Sequence, residues 1–293
     1  MLIQQDRVWP MFDRAARFLP MDIAKRGAKM KLSVCGKGGS GKSVITTLLA
    51  FAAQKRGLSV LVVDSDESNS GLFRMLGMKS PPAPLMELVG GKAQLKQKMR
   101  QPDVLNQSQV CLGDIPLRFL RHRNAVALVS IGKILHSLEG CACPMGVLSR
   151  EFLKKLCLGE NALAIVDMEA GVEHFGRGID QSIDSSILVV EPSFESFMVA
   201  SKIQELCAGI KKKVFAVLNK MPSQKTTLKI EDQLRSKGLE VIGSVPNDPE
   251  IFEACLEGRP LANGEALHAV DNILARLFIL HAKAKGIKAP ICA

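Results

Sequence analysis

The 293-residue sequence has few aromatic side chains, and its hydrophobic runs are short. It contains no tyrosine and one tryptophan, and aromatic residues make up 4% of the chain. Base-stacking platforms for single-stranded nucleic acid are therefore poorly supplied. No apolar run approaches the ~18 residues needed to cross a membrane, and the N-terminus lacks the apolar region of a secretory signal. We expect a cytoplasmic protein that binds neither membrane nor nucleic acid.

Acidic residues are also in deficit: 29 Asp and Glu face 39 Lys and Arg, which gives a formal net charge of +10. Much of the excess lies in residues 92–100, in residues 118–123 and in the tail with Lys283, Lys285 and Lys288. Such charge is solvated surface, a docking face for an acidic protein, or a nucleic-acid surface. The charge alone does not choose among these.

The eight cysteines are expected to be free thiols or metal ligands, because a reducing compartment disfavours disulfides. Four lie in apolar segments and are predicted to be small core residues: Cys35, Cys157, Cys207 and Cys255. Cys111 and Cys292 have no clear assignment. Only Cys141 and Cys143 form a cluster, in the loop sequence "SLEGCACPMG".

Short, almost continuously apolar segments alternate with helical patterns along the chain. This alternation predicts an α/β fold with a mostly parallel central sheet, covered by helices on both faces. A closing amphipathic helix is predicted over residues 266–285. The predicted strands are 31–35, 59–63, 125–131, 162–166, 186–190, 214–218 and 240–244.

One domain is predicted over residues 30–286, with two flanking tracts. Residues 1–29 form an N-terminal extension that is disordered or precedes the true start, and residues 287–293 form a tail. Residues 79–123 contain "SPPAP" and show weak periodicity, so they are expected to be an insertion or a mobile region.

The stretch "SVCGKGGSGKS" carries the pattern G-x-x-x-x-G-K-S between a predicted strand and a predicted helix. This context predicts a phosphate-binding loop, in which backbone N–H groups and the helix N-terminus surround the phosphates. Lys42 is expected to reach the β- and γ-phosphates, and the Ser43 hydroxyl to bind Mg²⁺. The predicted nucleotide-binding residues of the loop are Gly36, Lys37, Gly38, Gly39, Ser40, Gly41, Lys42 and Ser43.

The early lysine, Lys37, makes "GKGGSGKS" similar to the deviant Walker A motif of MinD, ParA and the nitrogenase iron protein, within the SIMIBI class of P-loop NTPases. The resemblance implies an ATPase domain over residues 30–286 whose ATP closes a homodimer, with Lys37 reaching the partner's nucleotide. It also implies that Asp66 positions the attacking water. Asp167 is then a carboxylate close to Mg²⁺, and Gly171 senses the γ-phosphate through its N–H.

The base is predicted to be adenine. Asn219 and Lys220 follow a predicted strand, but Pro222 replaces the aspartate that a guanine-reading N-K-x-D motif requires. The segment "VPNDPEI" at 245–251 resembles the loop that packs on adenine in this family, and it contains Pro246. ATP with Mg²⁺ is therefore the expected cofactor pair.

The stretches "EGCACPMG" and "DMEAGVEHFGRG" resemble the CooC-type ATPases, accessory proteins that deliver nickel to carbon monoxide dehydrogenase, and a relative that serves acetyl-CoA synthase. Cys141 and Cys143 are two positions apart, so in an extended loop their side chains project to one side. Two copies of the chain would supply four thiolates, which hold Ni²⁺ in a square plane or Zn²⁺ in a tetrahedron.

Two other functions stay open at this point. A partition or positioning ATPase would use the basic surface on DNA or membrane, but it would leave Cys141 and Cys143 without a role. An iron–sulfur electron-transfer dimer, like the nitrogenase iron protein, draws its cysteines from two distant loops. The absence of cysteine from "DMEAGVEHF" argues against it.

Overall fold

The computed structural model describes residues 29–68, 70–98, 104–105, 107–133, 143–171, 182–209, 212–261 and 264–286. The strands are β1 (Lys29–Gly36), β2 (Ser59–Asp64), β3 (Val110–Cys111), β4 (Arg121–Arg123), β5 (Val126–Ser130), β6 (Leu156–Cys157), β7 (Ala162–Asp167), β8 (Ser185–Val190), β9 (Val214–Met221) and β10 (Glu240–Pro246). The helices are α1 (Lys42–Lys55), α2 (Leu72–Met75), α3 (Gly91–Lys98), α4 (Cys143–Lys155), α5 (Phe194–Gly209), α6 (Gln224–Ser236), α7 (Pro249–Glu257) and α8 (Glu265–Ala284).

Eight strands form one sheet in the order β10-β9-β8-β1-β7-β2-β5-β4. All neighbouring pairs in it are parallel except β4 and β5, which are antiparallel at one edge. The predicted mostly parallel sheet is therefore confirmed. Strand β1 lies between β7 and β8, so the chain that leaves its carboxyl end has a neighbouring strand end on each side.

The sheet is covered on both faces, which explains why its central strands are almost continuously apolar. On one face, alternate residues such as Leu32 pack with the buried sides of α1 and α8. On the other face, Val166 and its neighbours pack with α4, α5 and α6. Burial of one leucine or isoleucine stabilises a fold by about 1.5–3 kcal/mol, so the fully buried Ile45 and Leu48 hold α1 firmly against the sheet.

The segment 79–123 is more structured than its weak periodicity predicts. Its described part contains α3, β3, β4 and three short 3-10 helices, at Leu85–Val89, Leu112–Asp114 and Leu117–Phe119. Leu95 and Phe119 are buried in the same cluster as one face of the sheet. The description as a mobile region is therefore wrong for these residues, which extend the edge of the sheet through β4.

The predicted core cysteines divide into two groups. Cys35 and Cys207 are buried, as expected, whereas Cys157 and Cys255 are only half-buried. The core assignment is thus wrong for Cys157, which lies in the short strand β6 opposite Cys111 of β3. Across the described helices, including the 20-residue α8, the combination of length and hydropathy needed to cross a membrane does not occur.

Candidate ATP-binding site

The phosphate loop lies between the end of β1 at Gly36 and the start of α1 at Lys42, and Gly38, Ser40 and Gly41 lie within it. Gly36 approaches β8 so closely that an added Cβ atom would lie 2.5 Å from the Val189 carbonyl oxygen. Gly39 has a φ of +81° and open space around it. Glycine is needed at the first position for space and at the second for backbone conformation.

The second lysine of the loop curls back over the loop backbone. Lys42 is buried, and its Nζ donates a hydrogen bond to the Lys37 carbonyl oxygen at 3.3 Å. A phosphate bound by the loop would offer this ammonium group a charged acceptor in place of a carbonyl. The arrangement suits the predicted contact with the β- and γ-phosphates.

Ser43, the second residue of α1, lies beside the carboxylate that ends β7. Its Oγ donates to Asp167 Oδ2 at 2.6 Å, and Thr46 Oγ1 lies 3.4 Å from Asp167 Oδ1. Burial raises the pKa of Asp167 to about 6, although the hydrogen bond from Ser43 opposes the shift. The predicted pair of Ser43 and Asp167 is therefore brought into direct contact.

A second buried carboxylate lies beside the first. Asp64 ends β2 and is the direct cross-strand partner of Asp167. Burial raises the pKa of Asp64 to about 7, while Lys133, whose Nζ lies 2.7 Å from Asp64 Oδ2, opposes the shift. The other oxygen, Oδ1, is buried and accepts no hydrogen bond from the described residues. The oxygens of the Ser43 hydroxyl and of the Asp64 and Asp167 carboxylates are of the types that Mg²⁺ prefers as ligands.

Asp66, the predicted water-positioning residue, is buried close to the same cluster. Its Oδ1 accepts hydrogen bonds from the Ser68 backbone N–H at 2.9 Å and from the Ser68 hydroxyl at 2.7 Å. Lys133 Nζ also donates to the Asp66 carbonyl oxygen at 2.5 Å. Lys133 is not among the site residues predicted from the sequence. Its position three residues after β5 is the signal that could have found it, because parallel strands deliver functional residues at their carboxyl ends.

Lys37 is held by Glu191, a residue that the sequence analysis also missed. Lys37 Nζ lies 2.9 Å from Glu191 Oε1, and Lys220 Nζ lies 3.1 Å from Glu191 Oε2. The hydrogen bond to Glu191 raises the pKa of Lys37. Partial burial pulls the pKa of Glu191 upward, but the hydrogen bonds from the two lysines outweigh it and lower that pKa. Glu191 directly follows β8, so its position at the carboxyl end of a parallel strand could have identified it from the sequence.

The predicted adenine-side residues lie next to the loop. Asn219 and Lys220 fall inside β9, not after it as predicted, because this strand continues to Met221. The buried Asn219 amide donates to the Ser40 carbonyl oxygen at 2.8 Å, and Lys220 Nζ donates to the Gly39 carbonyl oxygen at 2.5 Å. Pro246 ends β10 and pairs with the end of β9.

The remaining predicted residues divide between described and undescribed parts of the chain. Gly171 donates its N–H to the Gly36 carbonyl oxygen at 3.2 Å, so the structure brings it to the start of the loop. Cys143 is the first residue of α4. Cys141 lies outside the described residues, and the structure therefore does not test the thiol cluster.

Residues 32–261 match the family described as the CobQ/CobB/MinD/ParA nucleotide binding domain. The chain belongs to this family. It is an ATP-binding ATPase of the MinD/ParA type, with a glycine-rich loop between β1 and α1 and a mostly parallel central sheet.

Two relatives extend the comparison of this MinD/ParA-type ATPase along most of its length. A protein of Methanocaldococcus jannaschii named "uncharacterized ATP-binding protein" is 42% identical over 237 residues, covering 79% of this chain and 94% of the relative. The carbon monoxide dehydrogenase accessory protein CooC of Rhodospirillum rubrum is 30% identical over 262 residues, covering 85% of this chain and 97% of the relative.

Among solved structures, the septum site-determining protein MinD of Pyrococcus horikoshii, complexed with Mg-ADP, superposes with a TM-score of 0.64. It shares 19% sequence identity and covers 89% of this chain and 99% of its own. At this identity the similarity establishes the fold alone.

Proposed function

We propose that this MinD/ParA-type ATPase is an ATP-driven metallochaperone that delivers nickel to carbon monoxide dehydrogenase, or to acetyl-CoA synthase. The observation that carries the proposal is the 30% identity to CooC across 85% of the chain, together with the C-x-C segment at Cys141 and Cys143. The metal ion is the cargo, and Zn²⁺ is its natural competitor because four thiolates also suit zinc. The reducing cytoplasm is the compartment in which these thiols would stay available.

The nucleotide half of the function uses the groups around the phosphate loop. In the proposal, Lys42 binds the β- and γ-phosphates, Ser43 and the nearby Asp167 hold Mg²⁺, and Asp66 orients the attacking water. A bound Mg²⁺ would screen the negative charge of the phosphate oxygens. Gly171 would report the γ-phosphate through its N–H, and Asn219, Lys220 and Pro246 would border the adenine.

Dimer formation is the step that would join ATP to the metal. The Lys37 side chain is 32% exposed and is retained by a carboxylate that Lys220 already partly neutralises. If the Lys37 side chain moved toward a partner's phosphates, its ammonium group would leave the Glu191 carboxylate and meet a more highly charged anion. Two copies facing each other would then bring two pairs of Cys141 and Cys143 together as a four-thiolate site.

A direct contact supports communication between the nucleotide and the cysteines. Ser65, which lies between Asp64 at the end of β2 and Asp66, forms a hydroxyl–hydroxyl hydrogen bond of 3.0 Å with Ser149 of α4. The Ser65 N–H also donates to the Asp167 carbonyl oxygen at 3.0 Å. Because α4 begins at Cys143, a shift of residues 64–66 would be transmitted to the helix that carries one of the proposed metal ligands.

The test is nickel stoichiometry. We expect one Ni²⁺ per dimer when the metal-free protein is mixed with Ni²⁺, ATP and Mg²⁺, and a square-planar thiolate absorption spectrum. The Cys141→Ser/Cys143→Ser variant should lose both the bound nickel and this spectrum. The Cys111→Ser/Cys157→Ser variant removes the same number of thiols from another part of the chain and should bind nickel normally.

Nickel binding that survives loss of Cys141 and Cys143 would overturn the proposal. Lys37→Ala should keep nucleotide binding but lose ATP-dependent dimers, as measured by light scattering. If this variant dimerises as the original chain does, Lys37 does not hold the dimer together through the partner's nucleotide.

The net charge of +10 favours a second candidate, a partition or positioning ATPase that binds DNA. Its signature would be tight DNA binding that weakens steeply with added salt, because phosphate contacts release counterions. We expect weak DNA binding that ATP does not change. Strong ATP-dependent binding would favour this candidate over the metallochaperone.

A further inference from the structure

Two cysteines that the ATPase does not use face each other on neighbouring strands. Cys111 of β3 and Cys157 of β6 are direct partners in a two-stranded parallel sheet. Neighbouring strands lie about 4.8 Å apart, which is within the Cα separation that a disulfide requires. Cys111 is exposed and Cys157 is half-buried, so small molecules can reach the pair.

Cys157 also lines a cavity of about 500 Å³ at the amino end of β1, at the opposite end of that strand from the phosphate loop. Among the described lining residues the only acid is Asp184, whereas the basic ones are Lys29, Lys31, Lys154, Lys155, His281 and Lys285. Lys285 lies 3.5 Å from Asp184, Lys155 lies 2.8 Å from Glu151, and burial lowers the pKa of His281. The remaining excess of positive charge, on Lys29, Lys31 and Lys154, favours an anionic occupant.

The two thiols differ in their surroundings. The neighbouring Cys157 thiol is the main cause that raises the pKa of Cys111, and the nearby Asp114 adds to it. Cys157 lines the cavity together with Lys31, whereas Cys111 is not among the described lining residues. A disulfide bound in the cavity would therefore meet the Cys157 thiol first.

We propose that Cys111 and Cys157 form a dithiol site that exchanges with small anionic disulfides, of the oxidised-glutathione class, bound in the lysine-lined cavity. The Cys157 thiolate attacks one sulfur of the disulfide R–S–S–R, which gives a mixed disulfide on Cys157 and releases one thiol RSH after protonation. The Cys111 thiolate then attacks the Cys157 sulfur and releases the second RSH. The protein loses two hydrogen atoms, and the small disulfide is reduced to two thiols.

The experiment treats the reduced full-length chain with oxidised glutathione, in the absence of ATP and nickel. We expect a Cys111–Cys157 disulfide in the peptide map and two glutathione molecules released per chain. Cys111→Ser should stop at a glutathione adduct on Cys157, and Cys157→Ser should react at least about tenfold more slowly. Cys255→Ser, which removes another half-buried thiol, is the matched control and should behave as the original chain.

The role of the cavity is tested with an uncharged disulfide, bis(2-hydroxyethyl) disulfide. We divide the rate of each disulfide with the protein by its rate with a model thiol, and we expect this ratio to be about tenfold lower for the uncharged disulfide than for oxidised glutathione. In the Lys29→Gln/Lys154→Gln variant the two ratios should lie closer together. Oxidation that joins other cysteines first, or equal rates for the two disulfides, would overturn the proposal. Because nickel and ATP are absent, the result is independent of the metallochaperone function.

Discussion

Lys37 Nζ lies 2.9 Å from Glu191 Oε1, so a lysine of the phosphate loop is held by a residue that follows the neighbouring strand β8. The same carboxylate holds Lys220, which in turn donates to the Gly39 carbonyl oxygen. Glu191 therefore restrains the loop at two points. Any movement of Lys37 toward a second subunit has to break this contact first.

Glu191→Gln should make ATP-dependent dimerisation easier, because the amide keeps the shape of the side chain but removes its charge. We expect dimers at an ATP concentration a few-fold lower than for the original chain, measured by light scattering with a slowly hydrolysed ATP analogue. Glu205→Gln changes the charge equally at an exposed position of α5 and serves as the control. A Glu191→Gln protein that needs more ATP would mean that Glu191 supports the dimer.

Ser149→Ala should weaken the coupling between hydrolysis and nickel release. The change removes the hydrogen bond between Ser149 and Ser65, and it leaves the phosphate loop untouched. We expect ATP affinity to stay within about twofold, since the net value of one hydrogen bond is about 1 kcal/mol and this one lies outside the loop. Nickel released per ATP hydrolysed should fall. Ser201→Ala, which removes a hydroxyl from α5, is the control.

Mg²⁺-dependent nucleotide binding should release protons near neutral pH. Burial raises the pKa of Asp64 to about 7 and that of Asp167 to about 6, from 3.8 in each case. Between pH 3.8 and about 7 the folded protein therefore holds protons that the unfolded chain has lost, and its stability falls as the pH rises through this window.

A nearby Mg²⁺ reverses this preference, since it favours the carboxylates. Mg²⁺ affinity should thus rise with pH between about 6 and 7. Titration calorimetry in buffers of different ionisation enthalpy measures the protons released, and Asp64→Asn should reduce their number. Proton uptake on binding would contradict the expectation.

Asp66→Asn should slow hydrolysis and spare binding. The amide oxygen can still accept the hydrogen bonds from Ser68, so the local fold is retained, while the negative charge that we propose orients the attacking water is lost. We expect kcat to fall by about 10²–10⁴, the usual contribution of a positioned acid or base. ATP affinity should change little. Asp232→Asn, on the exposed side of α6, should leave kcat unchanged.

Gly36→Ala should destabilise the protein much more than Gly39→Ala. Both positions have positive φ, but a methyl group at Gly36 meets the Val189 backbone carbonyl at 2.5 Å, whereas at Gly39 it meets nothing within 4 Å. Backbone strain alone costs about 1 kcal/mol at Gly39, and overpacking adds about 1–3 kcal/mol at Gly36. Urea unfolding without nucleotide measures the difference. Equal losses would mean that β1 and β8 can move apart freely.

The sequence predicts the sheet and the phosphate loop well because both have local signals. Buried parallel strands are apolar throughout, and the loop is one continuous motif. Glu191 and Lys133 have no such signal in isolation. Each is far from the loop in sequence and reaches it only because the sheet order brings their strand ends together.

The shortest strands could not be predicted from the sequence, for a different reason. Strands β3 and β6 have two residues each, too few for any periodicity, so the pairing of Cys111 with Cys157 is visible only in the fold. The cluster of Cys141 and Cys143 remains a prediction, because it depends on a second copy of the chain as well as on residues outside the described part.

The candidate ATP-binding site draws its residues from the ends of β1, β2, β5, β7, β8, β9 and β10, whereas the described part of segment 79–123 leads into β4 at the rim of the sheet. The same segment also meets the end of β5, because Pro84 pairs with Ser130 and the Met86 N–H donates to the Ile131 carbonyl oxygen at 3.0 Å. A change of length or charge near residues 84–86 would therefore be transmitted along β5 to Lys133.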